Sequence, residues 1–439
     1  MTSSKNPFYL LLAAAFFCAN TAHAATKLNI TSEVKESAQS WQNLNFAGSN
    51  PTNQAFIMQD ASLGIITKGI RPSPELETSL DVGLVFRSVG IAGSTATIPS
   101  PFDSVSSRYG TGDFKPFMQN AYLRVNNLFD ANLSLTAGRQ PYTLGSGLCM
   151  SDNGFGMTGF LAKATNIWKN IGAQAFFFQP AKYSPGEASL TGFALDVPAE
   201  GLWQFYMLNE LDTTGTQSLG LATDSINRQF YGLYYALQFG FMSFEGEAAM
   251  QRGTASIAGG GGKNTLGGTA IMLTGKWEQP MSKLGTGTAH ITYGRASGQQ
   301  PNAQNQDNAF FPGWGRKYDG LERSGYGEVF GATLYDAYGS TSTANGLPAG
   351  LSGIQVINLG VTLPPWHGLY TNLDMFFFEA ATSASSSKSL GRELDISLLY
   401  PFKSHLRMKA SYAAFTPGAA YADSTKSPKK VSFTISADF

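Results

Sequence analysis

Few residues of this chain have the types and spacing that covalent chemistry needs. Beyond residue 24 the histidines are His290, His367 and His405. His290 has Thr288 and Thr292 as its same-face neighbours, which makes no nucleophile–base–acid set. His367 and His405 fall in or beside short turns. The sequence holds no His-Glu-x-x-His and no Cys/His cluster, so no metal or cofactor site is expected. Gly259-Gly260-Gly261-Gly262-Lys263-Asn264 superficially resembles a phosphate-binding loop. It fails that pattern, because Ile257 stands at the first glycine position and Asn264 at the Ser/Thr position. These residues argue against an enzyme.

The charged residues are better placed to face a solute than to transform one. Many alternate with apolar neighbours, which puts them on one face of an extended chain. That face carries Asp60, Lys68, Glu77, Asp81, Arg87, Arg124, Arg228, Glu245, Glu247, Lys276, Asp374, Glu393, Asp395, Arg407 and Lys409. Charges of both signs along a pore wall select ions and solutes, so the set from Asp81 to Lys409 is expected to line a pore. Arg139, Arg252 and Arg295 end their segments on the opposite, apolar register. They are expected at a headgroup rim, with phosphates of lipopolysaccharide as partners, unless bulges turn them inward. The stretch 298–351 is the longest polar connection. Its Arg316, Lys317 and Arg323 are candidate gate residues if that loop folds into the lumen.

The elements that must position these residues are strands. In Val431–Phe439 every odd position is apolar and every even position polar, nine residues of period two. Leu76–Phe86, Leu394–Leu398 and Leu406–Tyr412 alternate in the same way. About eighteen such segments can be counted, or sixteen if the weak ones near 28–36, 158–167 and 188–210 are merged or dropped. From the first segment onward the connections alternate between long and short, as outer loops and periplasmic turns do in bacterial barrels. Tyr231, Tyr235, Trp277, Tyr293, Tyr400 and Phe439 fall near the heights of an aromatic girdle.

Composition agrees. Charged residues are 14% of the chain and aromatics 13%, yet no stretch after the N-terminus is long and apolar enough for a helical span. A membrane-embedded backbone without helices must close into a barrel. The expected fold is therefore all-β, a transmembrane antiparallel up-and-down barrel over residues 25–439. Lys5, the apolar run Pro7–Ala19 and Ala22-His23-Ala24 read as a signal peptide, residues 1–24. Its removal leaves Cys149 as the one cysteine, so no intrachain disulfide can form. The formal net charge is zero, which gives no sign of nucleic-acid binding.

Leu390-Gly391-Arg392-Glu393-Leu394-Asp395-Ile396 and Tyr412-Ala413-Ala414-Phe415-Thr416-Pro417-Gly418 resemble the end of the alginate-export family of outer-membrane porins. Gly138-Arg139-Gln140 and Asn308-Ala309-Phe310-Phe311-Pro312 are similar to further pieces of that family. The resemblance implies an eighteen-stranded monomeric barrel with a charged lumen and a pore role for Arg139, Glu393 and Asp395. The inward set, with near-equal numbers of acids and bases, favours hydrophilic solutes over an anionic polysaccharide. The expectation is an outer-membrane channel that meets membrane lipid, lipopolysaccharide, the barrel-assembly machinery and a solute. The alternatives are a polysaccharide exporter and a plugged barrel acting as an adhesin.

Overall fold

The computed structural model describes residues 27–43, 53–71, 73, 75–92, 116–183, 186–215, 217–218, 221–281, 285–301, 303–316, 325–337, 345–384, 387–421 and 426–439. The signal peptide read over 1–24 lies outside them. Eighteen long strands stand among the described residues. They are β1 (Lys27–Gln42), β2 (Gln54–Ile70), β3 (Ser79–Ala92), β4 (Pro116–Asn126), β5 (Leu133–Gln140) and β6 (Met157–Trp168). Next come β7 (Ile171–Tyr183), β8 (Gly186–Ala199), β9 (Gly201–Asp212), β10 (Leu221–Phe239), β11 (Met242–Ile257) and β12 (Lys263–Met281). The last six are β13 (Gly285–Ala296), β14 (Leu351–Trp366), β15 (Leu369–Ser383), β16 (Ser389–Phe402), β17 (Leu406–Pro417) and β18 (Lys429–Asp438).

Each strand pairs antiparallel with its sequence neighbours, and β1 pairs with β18 from Glu33↔Asp438 to Gln42↔Lys429. The sheet is thereby closed, and no backbone edge faces lipid. The fold is the expected barrel with the higher strand count. All three weak segments are strands.

Alternation sorts the two faces. In β18, Val431, Phe433 and Ile435 are exposed on the outside, while Lys430 and Ser432 are buried inside. Exposed apolar side chains recur around the circumference, among them Ile57, Phe193, Phe205, Leu273, Ile291 and Phe377. A continuous exposed apolar belt on a closed barrel is the surface of a multi-pass outer-membrane protein. Below it, Trp168, Phe239, Phe241, Trp277, Trp366 and Phe439 stand exposed at the short-turn end, an aromatic girdle.

The short turns show why they are short. Lys169-Asn170 and His367-Gly368 both have two positive φ values in succession, the signature of type I′ hairpins, whose twist matches that of the strands. Several strands run further than the sequence suggested. β10 begins at Leu221 and β12 at Lys263, because these hairpins continue beyond the apolar belt, where alternation no longer contrasts lipid with water. Glu77 lies in irregular chain just before β3 and is exposed rather than on the inner wall.

Candidate functional site: the loop-filled lumen

The described residues of two connections fold back into the barrel. The first, residues 141–156, joins β5 to β6. The second, 297–350, joins β13 to β14 and is here called the strap. Apolar side chains of both, including Leu144, Cys149, Met150, Phe310, Val329, Phe330 and Leu334, form one buried core with inward residues of the wall such as Phe176, Phe178, Leu208, Phe230, Phe378 and Phe415. Phe330 stacks on Phe415 with centroids 4.8 Å apart and planes 2° from parallel, and lies 4.7 Å from the Phe378 ring. The two loops also hold each other. Ser151 N–H donates to Trp314 O at 2.8 Å, and Arg316 N–H to Gly147 O at 2.8 Å.

The wall grips the loops chiefly through carboxylates. Val329 and Phe330 N–H donate to Glu393 at 2.5 and 2.7 Å, and Glu328 N–H donates to Asp395 at 2.8 Å. Gly327 precedes this run at φ 80°, and a Cβ there would meet Glu393 Oε2 at 2.5 Å, so only glycine allows the approach. In the other loop, Ser146 N–H donates to Glu247 at 2.7 Å, with Ser146 Oγ and Tyr206 Oη also on that carboxylate. A third grip is Glu210, which accepts from Gly313 N–H at 3.1 Å and pairs with Arg228 at 2.6 Å. Arg228 also donates to Phe311 O. Charge-assisted bonds of this kind are among the strongest available to a loop with little secondary structure.

All of the residues expected to line the pore lie on the inward register. Their surroundings divide them. Arg228, Glu247 and Glu393 are nearly or wholly buried. They correct the simple picture of a wetted wall, because the loops cover them and take their charge as backbone hydrogen bonds. Asp395 belongs with them through Glu328 N–H. Arg87 is paired with Asp60 by two bonds of 2.9 and 2.6 Å, and Arg124 donates to Thr136 at 3.1 Å. Asp81 accepts from Gly69 N–H and Asn126 near the short-turn end. Lys276 pairs with Glu278 and Arg407 with Asp438, both pairs half exposed. The arginines of the described wall thus sit apart, Arg87, Arg228 and Arg407 each with an acid, and do not form the contiguous track that polysaccharide export would use.

Two cavities that meet at Gly325 lie beside the strap. One, of 730 Å3, is lined by Lys35, Lys409, Lys430, His290, Asp374 and Asp395 together with Ser37, Asn372, Ser397 and Thr434. Within it Glu328 of the strap bonds Lys430 at 2.9 Å and Lys409 at 3.2 Å. Burial opposes the Glu328 charge, but the two ammonium groups outweigh it and hold this carboxyl well below the usual carboxylate range. Across the cavity His290 lies 2.9 Å from Asp374 and 2.8 Å from Asn358. The second cavity, of 490 Å3, is lined by Glu245, Thr274, Thr292, Arg316 and Tyr326. Arg316 is therefore at a lumenal position, whereas Lys317 and Arg323 lie outside the described residues.

Of the three rim arginines, Arg139 bonds Phe155 O at 2.7 Å and so braces the inner loop. Arg252 and Arg295 remain exposed on the outward register. Lys35, Lys430, Glu210 and Glu328 were not singled out from sequence. Lys430 shares parity with Ser432 and Thr434 and could have been; Glu328 sits in irregular chain with no periodic signal.

Cys149 is fully buried, and burial, with the Glu247 charge beside it, pushes its thiol up. A maleimide is expected to leave Cys149 unlabelled in the folded barrel and to label it fully in denaturant. Ready labelling of folded protein would mean that the inner loop does not stay docked.

No family model and no curated protein matches the chain. Solved structures do. OpdK of Pseudomonas aeruginosa, determined with vanillate, superposes with a TM-score of 0.53 at 11% identity, covering 94% of this chain and 98% of that one. OccK8 (OprE) of the same organism gives 0.56 at 12% identity, again over 94% and 98%. OccK2 (OpdF), in complex with glucuronate, gives 0.53 at 12% identity over the same shares. A BenF-like porin of Pseudomonas fluorescens gives 0.54 at 11% identity, again over 94% and 98%. At such identities the likeness is one of architecture and does not confirm the alginate-export resemblance: the chain, an eighteen-stranded barrel, has the fold of outer-membrane porins.

Proposed function

We propose that this barrel is a substrate-selective channel that passes small hydrophilic solutes across the outer membrane, with a preference for solutes bearing a carboxylate. The observation that carries the reading is the 730 Å3 cavity beside the strap, with lysines of β1, β17 and β18 on one side and Asp374 and Asp395 on the other. A wall of this kind orients a polar solute, the ammonium groups taking its anionic end and the acids and hydroxyls its donors. Glu328 occupies the lysines from the strap, so an incoming carboxylate would exchange with it. The described parts of the two loops pack against the inner wall, which suits a narrow, selective path better than a wide diffusive one. Vanillate and glucuronate, the molecules found with two of the similar porins, are both carboxylates.

Single-channel recording of the refolded protein in a planar bilayer tests this. Small, stable open steps are expected, and under a salt gradient the Lys409→Gln variant should shift the reversal potential toward cations. A correctly folded, heat-modifiable barrel that stays silent would remove the channel reading. Steps whose selectivity ignores Lys409 would remove the assigned path.

A further inference from the structure

The membrane-facing side of β8–β13 is not an even apolar wall. Ala248, a small residue on the outward register of β11, lies between larger neighbours and leaves a trough of about 850 Å3, and Gly246 does the same for the cleft below it. Phe193, Phe205 and Tyr231 wall one side and Ile271 the other. The trough continues upward as a cleft of about 540 Å3 along Arg252 and the glycines of β12, and downward as one of about 480 Å3 beside Leu273. It therefore runs along the barrel through the height of the apolar belt, open to the bilayer.

Two arginines stand at its upper part. Arg295 lines the trough itself and Arg252 the upper cleft. Both are exposed, and neither has an ion pair or side-chain hydrogen bond among the described residues. The outward register turns polar at this height, with Gln229 opposite Arg252 and Gln355 opposite Arg295. The apolar wall therefore ends here, at the end of the barrel that carries the long connections. On β12, Arg252 is opposite Gly267 and Arg295 opposite Ile271. With strand spacing and rise taken together, their Cα atoms are about 16 Å apart. A headgroup with two phosphates spans that distance more readily than one with a single phosphate. Guanidinium groups recognise phosphate by paired hydrogen bonds.

We infer that the trough is a lipid site that seats an acyl chain of lipid A, the phosphorylated glycolipid of the outer leaflet, with its phosphates on Arg252 and Arg295. This goes beyond the channel reading and does not depend on it. An unpaired arginine on a lipid-facing wall is tolerated near the interface; here the phosphates supply the missing counter-charge, and the small residues of β11 supply the room for a chain.

Native mass spectrometry of the folded barrel in detergent, titrated with lipid A, monophosphoryl lipid A or phosphatidylethanolamine, tests the site. The wild type should retain lipid A, hold the monophosphoryl form more weakly and phosphatidylethanolamine least. The Arg252→Gln/Arg295→Gln double variant should lose at least five-fold in lipid A retention. Ala248→Trp, which fills the trough and leaves both arginines, should lose it too. Heat-modifiable migration confirms that each variant is folded, and conductance should be unchanged in both. Equal retention by wild type and the double variant would overturn the proposal, as would equal retention of phosphatidylethanolamine and lipid A. Self-association of the barrel that Ala248→Trp abolishes would assign the trough to a second copy and overturn it as well.

Discussion

Phe330→Ala is expected to raise the single-channel conductance several-fold and to make it flicker. The Phe330 ring is fully buried between Phe378 and Phe415 and fixes the strap to β15 and β17. Truncating a buried phenylalanine costs about 3–5 kcal/mol. Here that loss falls on the docking of a loop, since the wall strands keep their own ladder of hydrogen bonds. The carboxylate grip of Glu393 and Asp395 on residues 328–330 remains, so the strap should exchange between docked and released states rather than leave for good. Recording in a planar bilayer reads both levels. Phe377→Ala is the control: its side chain faces outward from the same strand, and its loss should leave the conductance alone. A steady conductance in Phe330→Ala equal to the wild type would mean that the strap does not limit the path.

Arg228→Met should be the most destabilising single change among the wall charges. Glu210 is wholly buried and its carboxylate is paired with Arg228 at 2.6 Å. Removing one member of a buried pair leaves an uncompensated charge and costs about 3–5 kcal/mol. The segment around Phe311 and Gly313 hangs on both residues, so the cost should appear as loosening of the strap as well as a lower urea midpoint. Cys149 labelling reports on it, because Met150 and Trp314 join the two loops. The double variant Arg228→Met/Glu210→Leu should recover most of the loss, since two well-packed apolar groups can replace a buried pair at little cost. It should stop short of full recovery by about 1 kcal/mol, because Gly313 N–H loses its acceptor. If the double variant is no more stable than the single, the pair is not what holds the segment.

The barrel was readable where its two faces meet different media. In β18 the outer face meets lipid and the inner face meets water and Glu328, and the residues alternate without a break from Val431 to Asp438. Alternation fails where the loops cover the inside. Phe176-Phe177-Phe178 and Phe376-Phe377-Phe378 are apolar on both faces, because the outer ring meets lipid and the inner rings meet the loop core. Parity placed Glu247, Glu393 and Asp395 on the inner wall. It could not show that they hold backbone N–H groups, because their partners lie far along the chain: Ser146 is 101 residues from Glu247, and Val329 is 64 from Glu393. Arg139, Arg252 and Arg295 share the outward parity at the ends of their segments in the sequence. The structure separates them, since among the described residues only Arg139 has a loop carbonyl within reach.

The seam between β1 and β18 has a meaning in time. Ser37 and Thr434, partners across it at 2.8 Å, are 397 residues apart in the chain. In an assembling chain β1 can pair with its sequence neighbour β2 through a local hairpin, but its other edge has no partner until β18, at the far end of the chain, is in place. Until then the unclosed sheet has two unpaired edges, each able to recruit a strand from another molecule. Contacts this distant in sequence also form slowly, since most of the chain must be ordered before they close. Closure is thus the last event rather than a gradual gain, and until the ring is complete both edges stay exposed to mispairing.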